Sequence, residues 1–420
     1  MLLRARNVVT MDGPPLSDGA VLVRGNLVAA VGGWKDLRRE FSGEPLTDLG
    51  ETTLLPGFIN AHCHLDYSGL RHAILPPAGF AEWVGRINAL KRSLDDDDYL
   101  AAIAKGFREY ARWGATTLLN VESFPELMWK LPAPPLRTWW FYEMIDVRRA
   151  TPTEELVAGA LLFFQEQLAE GSPGWLGGRG LSPHAPYTAS ADMYRLTRDV
   201  AARHGMPWTT HLGESRDERA MFVHGRGPLH DFLKGIGRPM DDCGHGRSAL
   251  ATLTAAGCLG PECIAVHLNE WEPDDFALVA PDGPLAGMTI VHCPLSHRYF
   301  QHHPFPWERL RTLPVNLCVG TDSPASNGSF SLLEELRALS ASNPALSSVE
   351  LLQTITRAPA QALGLDGRLG CIRPGAFADL ISIPCGEVGT ANTIHAEIIA
   401  CREPTVWQMV NGNNPVTSRA

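Results

Sequence analysis

Apolar positions along the chain fall into three regimes. Over the first fifty residues they form short β-type runs, Leu2–Val9, Ala20–Arg24 and Leu27–Val31. Asp12-Gly13-Pro14-Pro15 and Gly25-Asn26 separate them, and the one-turn link Arg24-Gly25-Asn26-Leu27 predicts a hairpin. The central region alternates buried-strand patterns with helical ones. The strand patterns are Phe58–His62, Thr116–Asn120, Thr138–Met144, Arg179–Ser182, Trp208–Leu212, Ile264–His267, Thr289–His292 and Asn316–Gly320. Helical periodicity marks Tyr99–Trp113, Glu154–Leu168, Ala191–His204, Arg247–Ala256, Leu332–Ser342 and Val349–Leu363. In the first of these, Leu100, Ile103, Phe107 and Tyr110 share one face, the aspartates at 95–98 suit the positive helix end, and Gly114 suits a left-handed stop. From about Arg368 the chain returns to short strands, Ala378–Ile383 and Thr405–Val410, with a turn at Arg373-Pro374-Gly375.

Eight buried strands alternating with helices predict an α/β fold, a (β/α)8 TIM-type barrel whose functional groups come from the C-terminal strand ends. Neither terminal region can bury a core alone, so both are expected to join into one small composite β-sandwich. The corresponding boundaries are 1–55 and 367–420 for the two parts of the sandwich and 56–366 for the barrel. Residues 213–247, rich in Gly and Pro and long for a connection, are the candidate for a lid.

The 420 residues exceed what one core usually fills, in keeping with a large and a small unit. A net charge of −10 argues against nucleic acid or an anionic membrane as partner and leaves a small-molecule substrate, with homo-oligomerisation open. No apolar run approaches the roughly 20 residues that span a bilayer. The N-terminus lacks signal-peptide features and the nine cysteines contain no Cys-x-x-Cys pair, so a reducing cytoplasm is expected.

The chemistry concentrates at strand ends. His62 and His64 are one residue apart, and in extended chain they face one point. The fifth predicted strand brings His211, the sixth His267, the seventh His292 and the eighth Asp322. His62, His64, His211 and Asp322 together would offer three nitrogens and a carboxylate oxygen to a catalytic divalent ion, zinc first, with iron or manganese as alternatives. Glu214, three residues after His211, is placed to protonate a ring nitrogen and pass the proton to the leaving group. His267 is placed to orient the attacking water or to stabilise the oxygen formed, and Asp322 to accept its proton.

Taken singly, each residue has a plainer reading. His211, His267 and His292 could each be a hydrogen-bonded core histidine, Glu214 a first-turn helix acid, and Asp322 a turn residue or cap. The plain readings fail jointly, because each would have to place its residue at a strand end independently. His184 ends the fourth predicted strand, with substrate contact and structural hydrogen bonding both open. Phe80 and Trp83 are candidates for stacking on a substrate ring, with core packing as the alternative. Arg148 is a candidate partner for a substrate carboxylate, with a solvated surface role as the alternative. His297 is expected to face the pocket. His302 and His303 read as surface loop residues, and Trp139-Trp140 as packing.

Several of these segments resemble the amidohydrolase superfamily, in particular its branch of aromatic-base and nucleoside deaminases and chlorohydrolases. Pro56-Gly57-Phe58-Ile59-Asn60-Ala61-His62-Cys63-His64 is similar to the first-strand metal motif of that family and His211-Leu212-Gly213-Glu214 to its fifth-strand element. Val291-His292-Cys293-Pro294-Leu295-Ser296, Gly320-Thr321-Asp322-Ser323 and Arg373-Pro374-Gly375-Ala376-Phe377-Ala378-Asp379-Leu380 resemble the seventh-strand, eighth-strand and sandwich signatures. The resemblance implies one zinc ion on His62, His64, His211 and Asp322, with Glu214 and His267 moving protons. No lysine stands at a strand end where binuclear relatives carry a carbamylated bridge. The implied reaction is release of ammonia from the amino-bearing carbon of a modified adenosine, such as S-adenosylhomocysteine, methylthioadenosine or aminodeoxyfutalosine. The alternatives are hydrolysis of an s-triazine or other aminoheterocycle and, less expected, a non-catalytic scaffold. One departure stands out: His297-Arg298-Tyr299-Phe300 replaces the Asn that many relatives carry after Pro-x-Ser.

Overall fold

A computed structural model of the protein describes residues 1–76, 79–148, 150–169, 175–384 and 393–413. Eight parallel strands pair in chain order: Phe58–Cys63, Ala115–Glu122, Arg137–Met144, Gly177–Pro183, Trp208–Leu212, Cys263–His267, Thr289–His292 and Asn316–Val319. All eight predicted strands are present, within a few residues at their ends. The chain just past the eighth strand closes the ring against the first, where the amides of Thr321 and Asp322 both donate to the His62 carbonyl, at 3.0 and 3.1 Å. Gly320 makes that approach feasible, since a Cβ there would lie 2.7 Å from the His62 nitrogen and 2.8 Å from its oxygen.

Helices cover the barrel, and several are capped by their own flanking side chains. The helix Asp96–Arg112 starts at a capping box formed by Asp95 and Asp98, and Gly114 beyond its end takes a φ of 87°. Ala191–His204 and Leu332–Ser342 match the predicted spans. The segment predicted as one helix over Val349–Leu363 is instead two, Ser348–Gln353 and Arg357–Ala362. In a continuous helix the Pro359 ring would meet the carbonyl of Ile355. The break turns that carbonyl toward the barrel, where it accepts from the Ile59 amide at 2.8 Å, while the Thr354 carbonyl accepts from Val319 at 3.0 Å.

The two terminal regions do pair. Leu2–Val8, Leu16–Arg24, Leu27–Gly33, Leu46–Asp48, Thr53–Pro56, Leu380–Ile383 and Trp407–Met409 hydrogen-bond as one seven-stranded sheet around Leu3, Val21, Leu54, Leu380 and Met409. The predicted hairpin joins Arg24 to Leu27 through Gly25 at φ 59°. Asp379 pins this unit beneath the barrel: its buried carboxylate accepts from Arg137 Nε of the third strand at 2.7 Å and from the Asn411 amide at 2.6 Å. Residues 213–247, the candidate lid, contain the helices Arg216–His224 and Pro228–Gly235, which bury Met221, Phe222, Leu229 and Leu233. No helix among the described residues is long and apolar enough to cross a membrane.

Candidate active site

His62 lies within the first strand, while His64 lies one residue beyond its end, in backbone that is still extended (φ −126°, ψ 99°). Alternation therefore persists past the last ladder bond, and both imidazoles turn inward. His211 arrives from the fifth strand and Asp322 from the segment that closes the ring. His64 Nε2 stands 3.2 Å from His211 Nε2, and Asp322 Oδ1 stands 3.6 Å from His62 Nε2 and 3.8 Å from His64 Nε2. Two ligands held about 2.1 Å from one ion at a tetrahedral angle would be roughly 3.4 Å apart. The His62 Nε2 atom is buried without a hydrogen-bond partner. His62, His64 and Asp322 bring three donor atoms within reach of one cation, and His211 Nε2 adjoins them beside His64.

Neighbouring groups orient each donor. Asp322 Oδ2 accepts from Ser296 Oγ at 2.7 Å and Ser326 Oγ at 2.8 Å, so its other oxygen faces the histidines. His211 Nδ1 donates to the His184 carbonyl at 2.9 Å, which leaves Nε2 as the lone-pair nitrogen facing His64. Burial is the main cause that pushes His211 down to about 3 and His64 well below its ordinary value, so both imidazoles are neutral, as ligands must be. Burial opposes the charge on Asp322, but the imidazoles of His62, His267 and His64 around it hold the carboxyl well below the usual carboxylate range. His211 also belongs to two other possible donor groups, one with His62 and His267 and one with Glu143 and His184. Its Nδ1 is committed to the His184 carbonyl, so a single nitrogen is left to serve whichever group holds an ion.

Beside this cluster sits Glu214. Its Oε2 accepts from the Tyr187 hydroxyl at 2.9 Å and its Oε1 lies 3.6 Å from His267 Nε2. Burial, then the charges of Asp322 and Glu218, raise the Glu214 pKa well above its ordinary value and so favour the acid form. The turn that presents it is clamped by Glu218, whose carboxylate accepts from the Gly213 amide at 2.9 Å and the Glu214 amide at 2.7 Å. His267, Leu268 and Asp322 have φ of 77°, 46° and 58°, conformations that non-glycine residues seldom adopt. Local strain is thus concentrated where His267 and Asp322 are aimed. The turn after the sixth strand also braces Glu214, through Asn269 Nδ2 donating to its carbonyl at 2.9 Å.

A cavity of about 280 Å³ opens above these groups. Its floor includes His64, His184, His211, Glu214 and Asp322, and Leu229, Phe232 and Leu233 of the 213–247 segment wall one side. Phe80, Trp83 and the exposed Arg148 line it, as does His184, whose Nδ1 pairs with Thr188 Oγ1 at 2.6 Å. His292 and His297 do not line it. His292 stacks on Phe305 at 4.0 Å, and His297 Nδ1 pairs with Asn269 Oδ1 at 2.9 Å. His303 is on the surface, but the His302 side chain is 4% exposed, against Glu270. Sequence reasoning passed over Tyr187, Ser296, Ser326 and Glu218, and over Lys91, which lines the cavity. Tyr187 and Ser296 stand inside the segments around His184 and His292, so the signal was adjacency to a candidate.

The sequence model of the amidohydrolase family matches residues 53–412. An aminodeoxyfutalosine deaminase of Deinococcus radiodurans is 29% identical over 385 residues, covering 89% of this chain and 88% of that protein. A 5-methylthioadenosine/S-adenosylhomocysteine deaminase of Pyrococcus furiosus is 28% identical over 392 residues, covering 91% and 86%. The crystal structure of Helicobacter pylori aminofutalosine deaminase with methylthio-coformycin superposes with a TM-score of 0.86 at 22% identity, over 99% of this chain and 100% of that one.

Proposed function

The chain belongs to the amidohydrolase family, and on that premise we propose that it is a zinc-dependent hydrolase releasing ammonia from a 5′-modified adenosine. The relatives named above act, by their names, on aminodeoxyfutalosine, methylthioadenosine and S-adenosylhomocysteine, and these are the substrates proposed. His62, His64, His211 and Asp322 would hold the ion, and three nitrogens with one carboxylate suit zinc. When bound, the ion supplies the Lewis acidity that makes water a nucleophile near neutral pH.

The protein's groups carry the rest. Asp322 takes the first proton of the water. Glu214, held in its acid form by burial, donates to the ring nitrogen next to the attacked carbon. Once ionised, it takes the remaining proton of the new hydroxyl and gives it to the departing amine, and the proton held by Asp322 then restores the acid form of Glu214. The C–O bond forms, the C–N bond breaks, and nitrogen leaves as ammonia. His267 contacts the new oxygen and limits where it can sit. Phe80 and Trp83 flank the ring, and Arg148 meets a charged 5′ substituent at the mouth.

The observation that carries this reading is the placement of Glu214, braced by Tyr187 at 2.9 Å and sharing one cavity with the candidate ligands His64, His211 and Asp322. The test is ammonia release by zinc-loaded protein from 5′-deoxyadenosine, methylthioadenosine, S-adenosylhomocysteine and aminodeoxyfutalosine. At least one should turn over, and Glu214→Gln should cost on the order of 10²-fold or more. A folded, zinc-loaded protein that releases no ammonia from any of them would refute the proposal. Chloride measured in the same screen with a chlorotriazine separates dechlorination from deamination.

A further inference from the structure

A second cavity, of about 600 Å³, lies behind the eighth-strand segment and has no part in the reaction described above. Arg298, Arg337 and Arg402 line it, with Glu334 as the acidic residue among its lining groups. Three guanidinium groups against one carboxylate leave an excess of two positive charges, in a chain whose net charge is −10.

The three arginines differ in how they are held. Arg337 is fixed: its Nη1 donates to the carbonyls of Ile399 and Cys401 at 2.8 and 2.9 Å, and its Nη2 lies 3.8 Å from Glu334. Burial lowers the Arg337 pKa, and the charge of Arg402 adds to that against the pull of Glu334. Arg402 therefore stands close enough to Arg337 to repel it. Arg298 and Arg402 are exposed, and neither forms an ion pair among the described residues. Arg298 belongs to His297-Arg298-Tyr299-Phe300, the departure from the family pattern that the active site leaves unexplained. Three guanidinium groups around one concavity create a positive local potential that attracts an anion.

We propose that this cavity is a binding site for a phosphate monoester, gripped by Arg298 and Arg402 and backed by Arg337. The planar fork of arginine suits the oxygens of a phosphate. A site this large exceeds inorganic phosphate, and Leu295, Ala338 and Ala341 supply an apolar wall for the organic part of an ester. The wall also touches the catalytic machinery. Ser326 lines the cavity and donates to Asp322 at 2.8 Å, and the helix Pro294–Tyr299 that carries Arg298 also carries Ser296, which donates to Asp322 at 2.7 Å. An occupied cavity therefore stiffens both serines that hold the proposed metal ligand.

The proposal is independent of the deamination reading. Its test is calorimetric titration of the zinc-loaded chain, at constant ionic strength, with a monophosphate that carries no adenine, glucose 6-phosphate, and with inorganic phosphate and succinate. The monophosphate should bind at a single saturable site, at least tenfold tighter than phosphate or succinate. Arg298→Ala with Arg402→Ala should weaken it tenfold or more while zinc content and thermal unfolding stay unchanged, and the matching pair of Lys substitutions should restore part of the affinity. Chelated protein should still bind. Absence of saturable heat, equal affinity in the double Ala variant, loss of binding on chelation, or tighter binding of succinate would each overturn it.

Discussion

The Tyr187 hydroxyl donates to Glu214 Oε2 across 2.9 Å, and both groups are buried. That bond fixes the rotamer of the carboxyl group proposed to carry protons between water, ring and leaving amine. Tyr187→Phe removes the anchor without moving a proposed metal ligand. Its kcat should fall about 5- to 20-fold, consistent with roughly 1–2 kcal/mol for one buried hydrogen bond. Bound zinc should stay stoichiometric. A fall in metal content that matched the fall in rate would show that Tyr187 acts on the fold instead.

Asp322 is held differently. Ser296 and Ser326 together occupy one of its oxygens, which leaves the other for the cation. Replacing both serines by Ala should weaken zinc retention by about 10- to 100-fold, the usual effect of losing groups that orient a ligand. Competition with a chelator, read by metal analysis, measures it. Asp322→Asn should lose more than the double serine variant, and the opposite order would contradict the assignment of Asp322 as a ligand.

Glu218 supplies a pH dependence of stability. Burial raises its pKa from an ordinary carboxyl value to about 7, against the two backbone amides that favour its charge. In the unfolded chain it ionises near pH 4.3, so between these values the folded form keeps a proton that the unfolded form has lost. This contribution is fully present below about pH 4 and is lost as pH rises through about 7. At one pKa unit per 1.36 kcal/mol, the change between pH 5 and pH 8 is up to about 3 kcal/mol. Denaturant unfolding of the chain and of Glu218→Gln at both pH values checks it. The native chain should lose more stability on going to pH 8, and parallel behaviour would rule the shift out.

Much of this arrangement was legible in the chain, and what escaped did so for identifiable reasons. Alternation forces His62 and His64 onto one face, so the pair was readable from local geometry alone. The strand pattern then placed His211, His267 and Asp322 at one rim, because a parallel barrel has one set of C-terminal ends. Pro359 was a visible warning against a helix through 349–363, overridden by the apolar period on both sides of it. The partners of Glu214 and Asp322 were hidden because contacts such as Ser296 with Asp322, 26 residues apart, depend on tertiary placement. The positive φ values at His267 and Asp322 carry no sequence signal, since neither residue is glycine. His292 was assigned to the pocket on strand position and His297 on the departure that contains it, but His292 stacks on Phe305 and His297 packs edge-on against the same ring, away from the cavity.

Gly320 tests whether barrel closure and site assembly are one event. An added Cβ would press into the backbone of His62 from 2.7 to 2.8 Å, and that backbone carries both the ring-closing carbonyl and a proposed ligand. Neither can retreat, since the amides of Thr321 and Asp322 both bond to that carbonyl. Gly320→Ala should therefore destabilise the fold by about 2 kcal/mol or more, by the cost of overpacking, and should lower zinc affinity in parallel. The two losses are read separately, by unfolding of the chelated protein and by metal competition on the folded one. A variant that unfolds earlier but binds zinc as tightly as the native chain would show that the seam between the first and eighth strands bears on stability alone. In that case the position of His62 must be set from within its own strand.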